Sequence, residues 1–182
     1  MPPLRFSLVQ RTTSLQTGRG ESPSLVLSPD LDVATVVLER DADRQAVMTL
    51  ATQCRSADPA GHFAPAGLLT ELRGRPGRAV HAWLAWPSGA VTRAAAAAGC
   101  VDSGPLGLVA LVVTGEVPRP RYSIAWLLVH PDARRRGIAT ALVARAVAHA
   151  ESLGATRVFA ETLSSWPAAV GFWRAVGGEQ ES

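Results

Sequence analysis

Lysine is absent from this 182-residue sequence, and all 18 of its basic residues are arginine. Alanine, glycine and proline are abundant, so the simplest source of the bias is a GC-rich genome rather than a basic function. Against 15 acidic residues the formal net charge is only +3, and no arginine run is interleaved with aromatic side chains. Both facts argue against a nucleic-acid partner. Cysteine occurs twice, as Cys54 and Cys100, without a Cys-x-x-Cys pair. Free thiols and a reduced, cytoplasmic location are expected from that usage. The N-terminus lacks the charged-then-apolar pattern of a signal peptide, and no apolar run is long enough for a membrane helix, so no membrane association is expected. His62, His81, His130 and His149 are scattered without ligand spacing, which leaves no metal site to expect. A Gly-x-Ser-x-Gly elbow is missing, which argues against a serine hydrolase. Neither a Gly-x-Gly-x-x-Gly fingerprint nor a Gly-Lys-Ser/Thr loop occurs, so dinucleotide and P-loop sites are set aside. The length suits one domain with an ordinary core, and there are no internal repeats.

What the chain does contain is Leu127-Leu128-Val129-His130-Pro131-Asp132-Ala133-Arg134-Arg135-Arg136-Gly137-Ile138-Ala139-Thr140-Ala141-Leu142. An apolar strand ends at a proline, and an arginine-rich loop then passes through one glycine into an amphipathic helix. The first N–H groups of a helix lack intrahelical partners, and the helix dipole favours negative charge there. Gly137 has no Cβ, so a ligand can approach the backbone closely, and Ala139 keeps the next such position small. Arg134, Arg135 and Arg136 add forked donors suited to phosphate. A solvated basic turn capping a surface helix is the plainer alternative. The strand before the loop and the small residues within it favour an anion site.

The surroundings read as a strand–helix–strand unit. Tyr122 to Val129 is short and apolar, as a buried strand should be, and Pro131 stops it. From Ile138 the apolar positions Leu142, Ala146, Ala150 and Leu153 fall at helical spacing, and Gly154 is placed to close that helix. Arg157 to Thr162 supplies a second strand, which a helical crossover makes parallel to the first. A final helix is expected over Pro167 to Val176, with proline in its first turn and Gly177-Gly178 beyond its end.

The Arg-x-x-Gly-x-Ala spacing of Arg134, Gly137 and Ala139, followed by this element order, resembles the general N-acetyltransferase (GNAT) superfamily. The resemblance is strong over Tyr122 to Gly178, weaker over Val33 to Glu116, and absent over the first thirty or so residues. It implies a three-layer α/β/α fold with a mixed, V-shaped central sheet. It also implies an acetyl-CoA (or other short acyl-CoA) co-substrate wedged between the two parallel strands. Leu127, Leu128 and Val129 would pair with the pantetheine, and Arg134, Arg135, Arg136, Gly137, Ile138, Ala139 and Thr140 would hold the pyrophosphate. Family members usually carry Asn and Tyr where this chain has Trp166 and Trp173, so the resemblance makes these two tryptophans candidates for the cofactor site as well. An indole N–H donates a hydrogen bond but releases no proton near neutral pH, so the proton donor commonly assigned to the leaving thiolate is missing. Packing of the helix on the sheet is the plainer role for Phe172 and Trp173.

The implied activity is acyl transfer to a small-molecule or peptide amine. A base is not evident on Tyr122 to Val129, which leaves Glu161 on the next strand and His62 in a loop as candidates. Glu161 reads equally as a solvated strand residue and His62 as an ordinary loop residue. The rival reading is a catalytically inactive acyl-CoA-binding sensor or scaffold of the same fold.

Elsewhere, Val33 to Glu39 reads as a strand, with Asp41 or Asp43 capping a helix over about Arg44 to Cys54. Leu68 to Arg73 reads as a short helix, Ala79 to Trp86 and Pro105 to Thr114 as strands, and Ala94 to Ala98 as a helical turn. The family continues past its final helix with two more strands, whereas this sequence reaches Ser182 almost directly after Gly178. Leu4 to Gln10 and Ser24 to Leu27 are strand-like, so residues 1–30 are expected as an extension that either forms a loose tail or supplies the vacated strands. Residues 31–182 form the GNAT-like domain in this reading. Exposed sheet edges in a shortened fold are compatible with a homodimer.

Overall fold

The computed structural model describes residues 3–9, 31–57, 65–88, 104–115 and 120–181. His62, Cys100, Ser24 to Leu27 and Ala94 to Ala98 lie outside the described residues. In chain order the elements are β1 (Pro3–Val9), β2 (Leu31–Thr35), α1 (Asp41–Ser56), α2 (Pro65–Leu72), β3 (Arg78–Pro87), β4 (Gly107–Thr114) and β5 (Arg121–Val129), then α3 (Ile138–Ser152), β6 (Arg157–Leu163), α4 (Pro167–Ala175) and β7 (Glu179–Gln180). The strands form one sheet in the order β2-β3-β4-β5-β6-β1-β7. β5 and β6 run parallel and every other neighbouring pair is antiparallel.

Two apolar cores flank this sheet and make three layers. On one face Val47, Leu50, Ala51 and Cys54 of α1 and Leu68 and Leu72 of α2 pack against Ala82, Leu84, Leu108, Ala110 and Leu128. On the other, Ile138, Leu142, Ala146 and Ala150 of α3 and Trp173 of α4 pack against Trp83, Val109, Leu111, Ile124, Val158, Ala160 and Phe6. Strand β5 serves both. Before Ala125 its even-numbered residues, Tyr122 and Ile124, face the α3 core. After Ala125 the even-numbered Leu128 faces the α1 core. The ladder with β4 explains the switch: Ala110 pairs with Trp126 and Leu111 with Ile124, leaving Ala125 as an extra residue. Such a bulge bends its strand and re-aims the side chains beyond it.

Beyond the bulge the sheet opens. β5 and β6 pair only through Tyr122↔Val158, Ser123↔Phe159 and Ile124↔Ala160. The remainder of β5 and the end of β6 part, which gives the V expected from the sequence. The expected strand–helix–strand–helix order is present, and Gly154 closes α3 in the left-handed region with φ +88°.

Three expectations are corrected. Neither Asp41 nor Asp43 caps α1: the helix starts at Asp41, and its N-cap is Arg40, which makes no side-chain cap bond. Asp43 is buried instead, and its Oδ2 accepts the Val37 N–H at 2.8 Å. The strand expected over Val33 to Glu39 starts and ends earlier: β2 spans Leu31–Thr35, and beyond it only the Val36 N–H still bonds to β3, at the Ala82 carbonyl at 2.9 Å. After α4 the chain does form a further strand, the two-residue β7. β1 lies between β6 and β7, pairing with β6 over all seven of its residues. Phe6 at its centre is fully buried. Of the two alternatives for the N-terminal extension, residues 3–9 thus take the one that supplies a strand beyond β6.

Candidate active site

The open side of the V begins with the backbone of β5. The His130 N–H donates to the Leu106 carbonyl at 2.9 Å, and Leu128↔Leu108 and Trp126↔Ala110 continue that register. Backbone groups in an antiparallel ladder alternate in direction. Those of Trp126, Leu128 and His130 therefore turn to β4, and those of Leu127 and Val129 turn to the cleft. Leu128 was expected to offer its backbone there; its N–H and C=O belong to the ladder and its side chain to the α1 core. The Val129 carbonyl accepts from the Cys54 thiol and from Arg134 Nε, each at 3.4 Å. Arg134 thus folds back on the strand end. Burial pushes the Cys54 thiol pKa up, opposed in smaller measure by the Arg134 charge and by the bond to Val129.

The loop that follows is set by local chemistry. A 3-10 turn at Pro131–Ala133 is started by His130, whose ring Nδ1 accepts the Asp132 N–H at 3.2 Å. Arg134 is extended, Arg135 has φ +64°, and Gly137, the N-cap of α3, has φ +78°. Alternating backbone handedness of this kind points successive N–H groups into one concavity. Gly137 makes no side-chain cap, and the first bond of the helix runs from the Ala141 N–H to the Gly137 carbonyl. The N–H groups of Ile138, Ala139 and Thr140 are thus free of helical partners. A Cβ built on Gly137 meets no atom within 4 Å, so open space lies over the turn. Arg134, Arg135 and Arg136 are exposed around it, while the Ile138 side chain is buried in the α3 core. The cradle fits a diphosphate: free donors, positive charge, and no side chain in the way.

The remaining candidates separate. Trp173 is 5% exposed and sits in the α3 core, against Phe172 with ring centroids 5.1 Å apart. Its role is packing. Trp166 is the N-cap of α4, its N–H bonded to the Leu163 carbonyl and its carbonyl to the Val170 N–H, each at 3.0 Å. Glu161 follows Ala160, the last β6 residue paired with β5, and so stands where the strands part. Its carboxylate is not free in solvent, because Arg5 of β1 donates to Oε1 from Nε at 2.9 Å and from Nη2 at 2.8 Å. Arg121 lies over the Phe159 ring, 4.6 Å from its centroid, on the same strand pair.

Sequence reasoning missed Arg5, the left-handed Arg135 and the Cys54–Val129 contact. Each depends on a partner or a backbone angle that carries no local signal. Away from the cleft, His81, Trp83 and His149 form a ring cluster, with the two imidazoles 4.5 Å apart between centroids. Desolvation, and then the neighbouring His149, lower the His81 pKa. No group of three or more His, Cys, Asp or Glu side chains among the described residues is arranged to hold a metal. No helix among them is long and apolar enough to cross a membrane.

Comparison with known proteins places this fold in a family. Residues 65–177 match the Acetyltransferase (GNAT) family; the chain belongs to that family. No curated protein sequence matches it. Among solved structures it is similar to the aminoglycoside N-acetyltransferase AAC(6')-Iy in complex with CoA, with TM-score 0.58, 16% identity, and coverage of 84% of this chain and 90% of that one. It is also similar to the aminoglycoside acetyltransferase meta-AAC0020 from an uncultured soil metagenomic sample, with TM-score 0.59, 15% identity, and coverage of 82% and 89%. A tandem GNAT protein from the clavulanic acid biosynthesis pathway aligns with TM-score 0.60 and 16% identity, over 98% of this chain and 50% of that one. At these identities the likeness is one of fold.

Proposed function

We propose that this protein transfers an acetyl group, or another short acyl group, from acyl-CoA to a primary amine on a small molecule or peptide. One observation carries the reading: the cleft-facing edge of β5, with the Leu127 N–H and C=O and the Val129 N–H turned away from β4, runs directly into an open, arginine-flanked helix N-terminus. A strand edge and an anion cradle in line match the two halves of CoA, an amide-bearing arm and a diphosphate. The N–H groups of Ile138, Ala139 and Thr140 and the turn at Gly137 hold the diphosphate, with Arg135 and Arg136 adding charge. Leu127 and the Val129 N–H pair with the pantetheine amides as a neighbouring strand would. Bound acyl-CoA supplies an activated thioester, whose acyl carbon takes the amine nitrogen as the carbon–sulfur bond breaks. The Leu127 N–H polarises the thioester oxygen in this reading. Glu161 is the carboxylate that meets the amine and accepts the proton that the nitrogen gives up in order to attack. Trp173 offers no proton, so the departing thiolate takes one from water. His62, the other candidate base, lies outside the described residues.

A second reading keeps the CoA site and drops the chemistry, and the indole in place of a phenol at Trp173 favours it. Two measurements separate the readings. Acetyl-CoA at one hundred times its dissociation constant should stabilise the protein by about 2.7 kcal/mol, or about 5–10 °C for a chain of this size. Thiol release with a panel of amines should then exceed release without amine. No thermal shift at millimolar acetyl-CoA, in folded protein, sinks both readings; a shift without amine-dependent release leaves the binding module.

A further inference from the structure

We propose that Arg5 is a positioning residue for the acceptor amine: it grips one oxygen of Glu161 so that the other receives the acceptor's ammonium group. The proposal rests on the acyl-transfer reading above. Glu161 is the only carboxylate on either strand of the cleft. It follows directly on the last paired residue, Ala160, and so stands level with the bulge at Ala125, where β5 and β6 separate. Side chains alternate along β6, with Val158 and Ala160 in the α3 core. Glu161 therefore projects to the opposite face, the side on which Trp126 and Leu128 turn after the bulge.

The form of the ion pair is what singles it out. A guanidinium and a carboxylate commonly meet as two parallel bonds that engage both oxygens. Here both Arg5 donors, Nε and Nη2, converge on Oε1, and Oε2 takes no bond from the described residues. The carboxylate is thus fixed in direction while one oxygen keeps its lone pairs for a donor. The pair is also reachable, with side-chain exposures of 44% for Arg5 and 51% for Glu161. An ion pair so exposed contributes little to folding, which makes its removal informative about function. Arg5 and Glu161 are directly opposite in the β1–β6 register, so the arginine meets the Glu161 carboxylate only because residues 3–9 lie in the sheet.

The test uses the full chain with acetyl-CoA and four amines (phenethylamine, tryptamine, spermidine and kanamycin), following thiol release and taking forward the amine with the highest kcat/KM. For that amine, Glu161→Gln and Arg5→Met should each raise the amine KM at least tenfold. The acetyl-CoA KM should stay within twofold, and both variants should melt within a few degrees of wild type. Arg5→Lys should recover part of the loss, because a cation is restored without the fork. Three results overturn the proposal: an unchanged amine KM in Arg5→Met; a rise in the acetyl-CoA KM equal to that in the amine KM; or wild-type protein that binds acetyl-CoA and turns over none of the four. Wild-type protein that fails to bind acetyl-CoA overturns the acyl-transfer reading first, and this proposal with it.

Discussion

Replacing Arg135 by glycine separates two ways in which the loop before α3 can hold a diphosphate. Arg135 has φ +64°, in the left-handed region that costs an L-residue roughly 1–2 kcal/mol. Glycine removes that strain but loosens the unfolded chain by about 0.4–1 kcal/mol. The net gain is about 0.5–1 kcal/mol, and at roughly 2–4 °C per kcal/mol for this size the variant should melt about 1–4 °C above wild type. Its loss in CoA binding should be small, because one exposed charge among three is worth about 1 kcal/mol or less, or about a fivefold rise in Kd. Gly137→Val does the reverse. Its built Cβ meets nothing within 4 Å, so no clash arises in the free protein, but φ +78° resists a β-branched side chain. The Cβ would also stand over the free N–H groups of the helix start. Affinity for CoA should fall at least about 100-fold, equivalent to roughly 2.7 kcal/mol. Calorimetric titration of each variant at two salt concentrations, beside thermal melts without ligand, reads all of these quantities. Should Arg135→Gly abolish binding while Gly137→Val leaves it intact, side-chain charge holds the diphosphate and the helix-terminus argument is wrong.

Three further outcomes follow from the cores and the ring cluster. Phe6→Ala removes a fully buried ring from β1 and should cost about 3–5 kcal/mol in urea unfolding, and deletion of residues 1–29 should leave an aggregating or far less stable chain. A loss under about 1 kcal/mol in Phe6→Ala, well below that core range, would mean that β1 is dispensable. His81 has its folded pKa lowered below the ordinary 6.5 by desolvation and by His149, so the unfolded chain binds the proton more readily. Its share of stability is full above about pH 6.5 and is lost as the pH falls toward the folded pKa. The melting temperature should therefore drop between pH 7.5 and 5.5 by more in wild type than in His81→Phe, and equal drops would refute this.

The centre of the site was legible because its signals are local. Tyr122 to Gly178 carries its own stops and starts: Pro131, Gly137, Gly154, Pro167 and Gly177 each fix an element boundary within a residue or two. The strand character of residues 4–10 was legible too, but its partner was not, since nothing in Leu4 to Gln10 names Arg157–Leu163. For the same reason Glu161 was readable as a candidate while Arg5, 156 residues away, was not. Alanine at the bulge gave no warning either, because a bulge is set by the mismatch of two strands and not by one residue. The helix start was misjudged because Asp43, read as a cap, spends its carboxylate inward on Val37.

The position of β1 has a consequence for the order in which the protein assembles. Its partner strand, β6, is translated about 150 residues later, which at ribosomal rates of 5–20 residues per second means a wait of roughly 10–30 s. Through that interval β1 has no native partner, and Phe6 has no core to enter. Strands β2 to β5 can meanwhile form their antiparallel ladders in the order they emerge, since each follows its neighbour in sequence. Closure of the sheet thus waits on pairing across nearly the whole sequence, the slow kind in folding kinetics. In a polysome or an inclusion-prone expression host, the waiting β1 of one chain meets the finished β6 of another. Strand exchange between copies is the characteristic failure this arrangement invites.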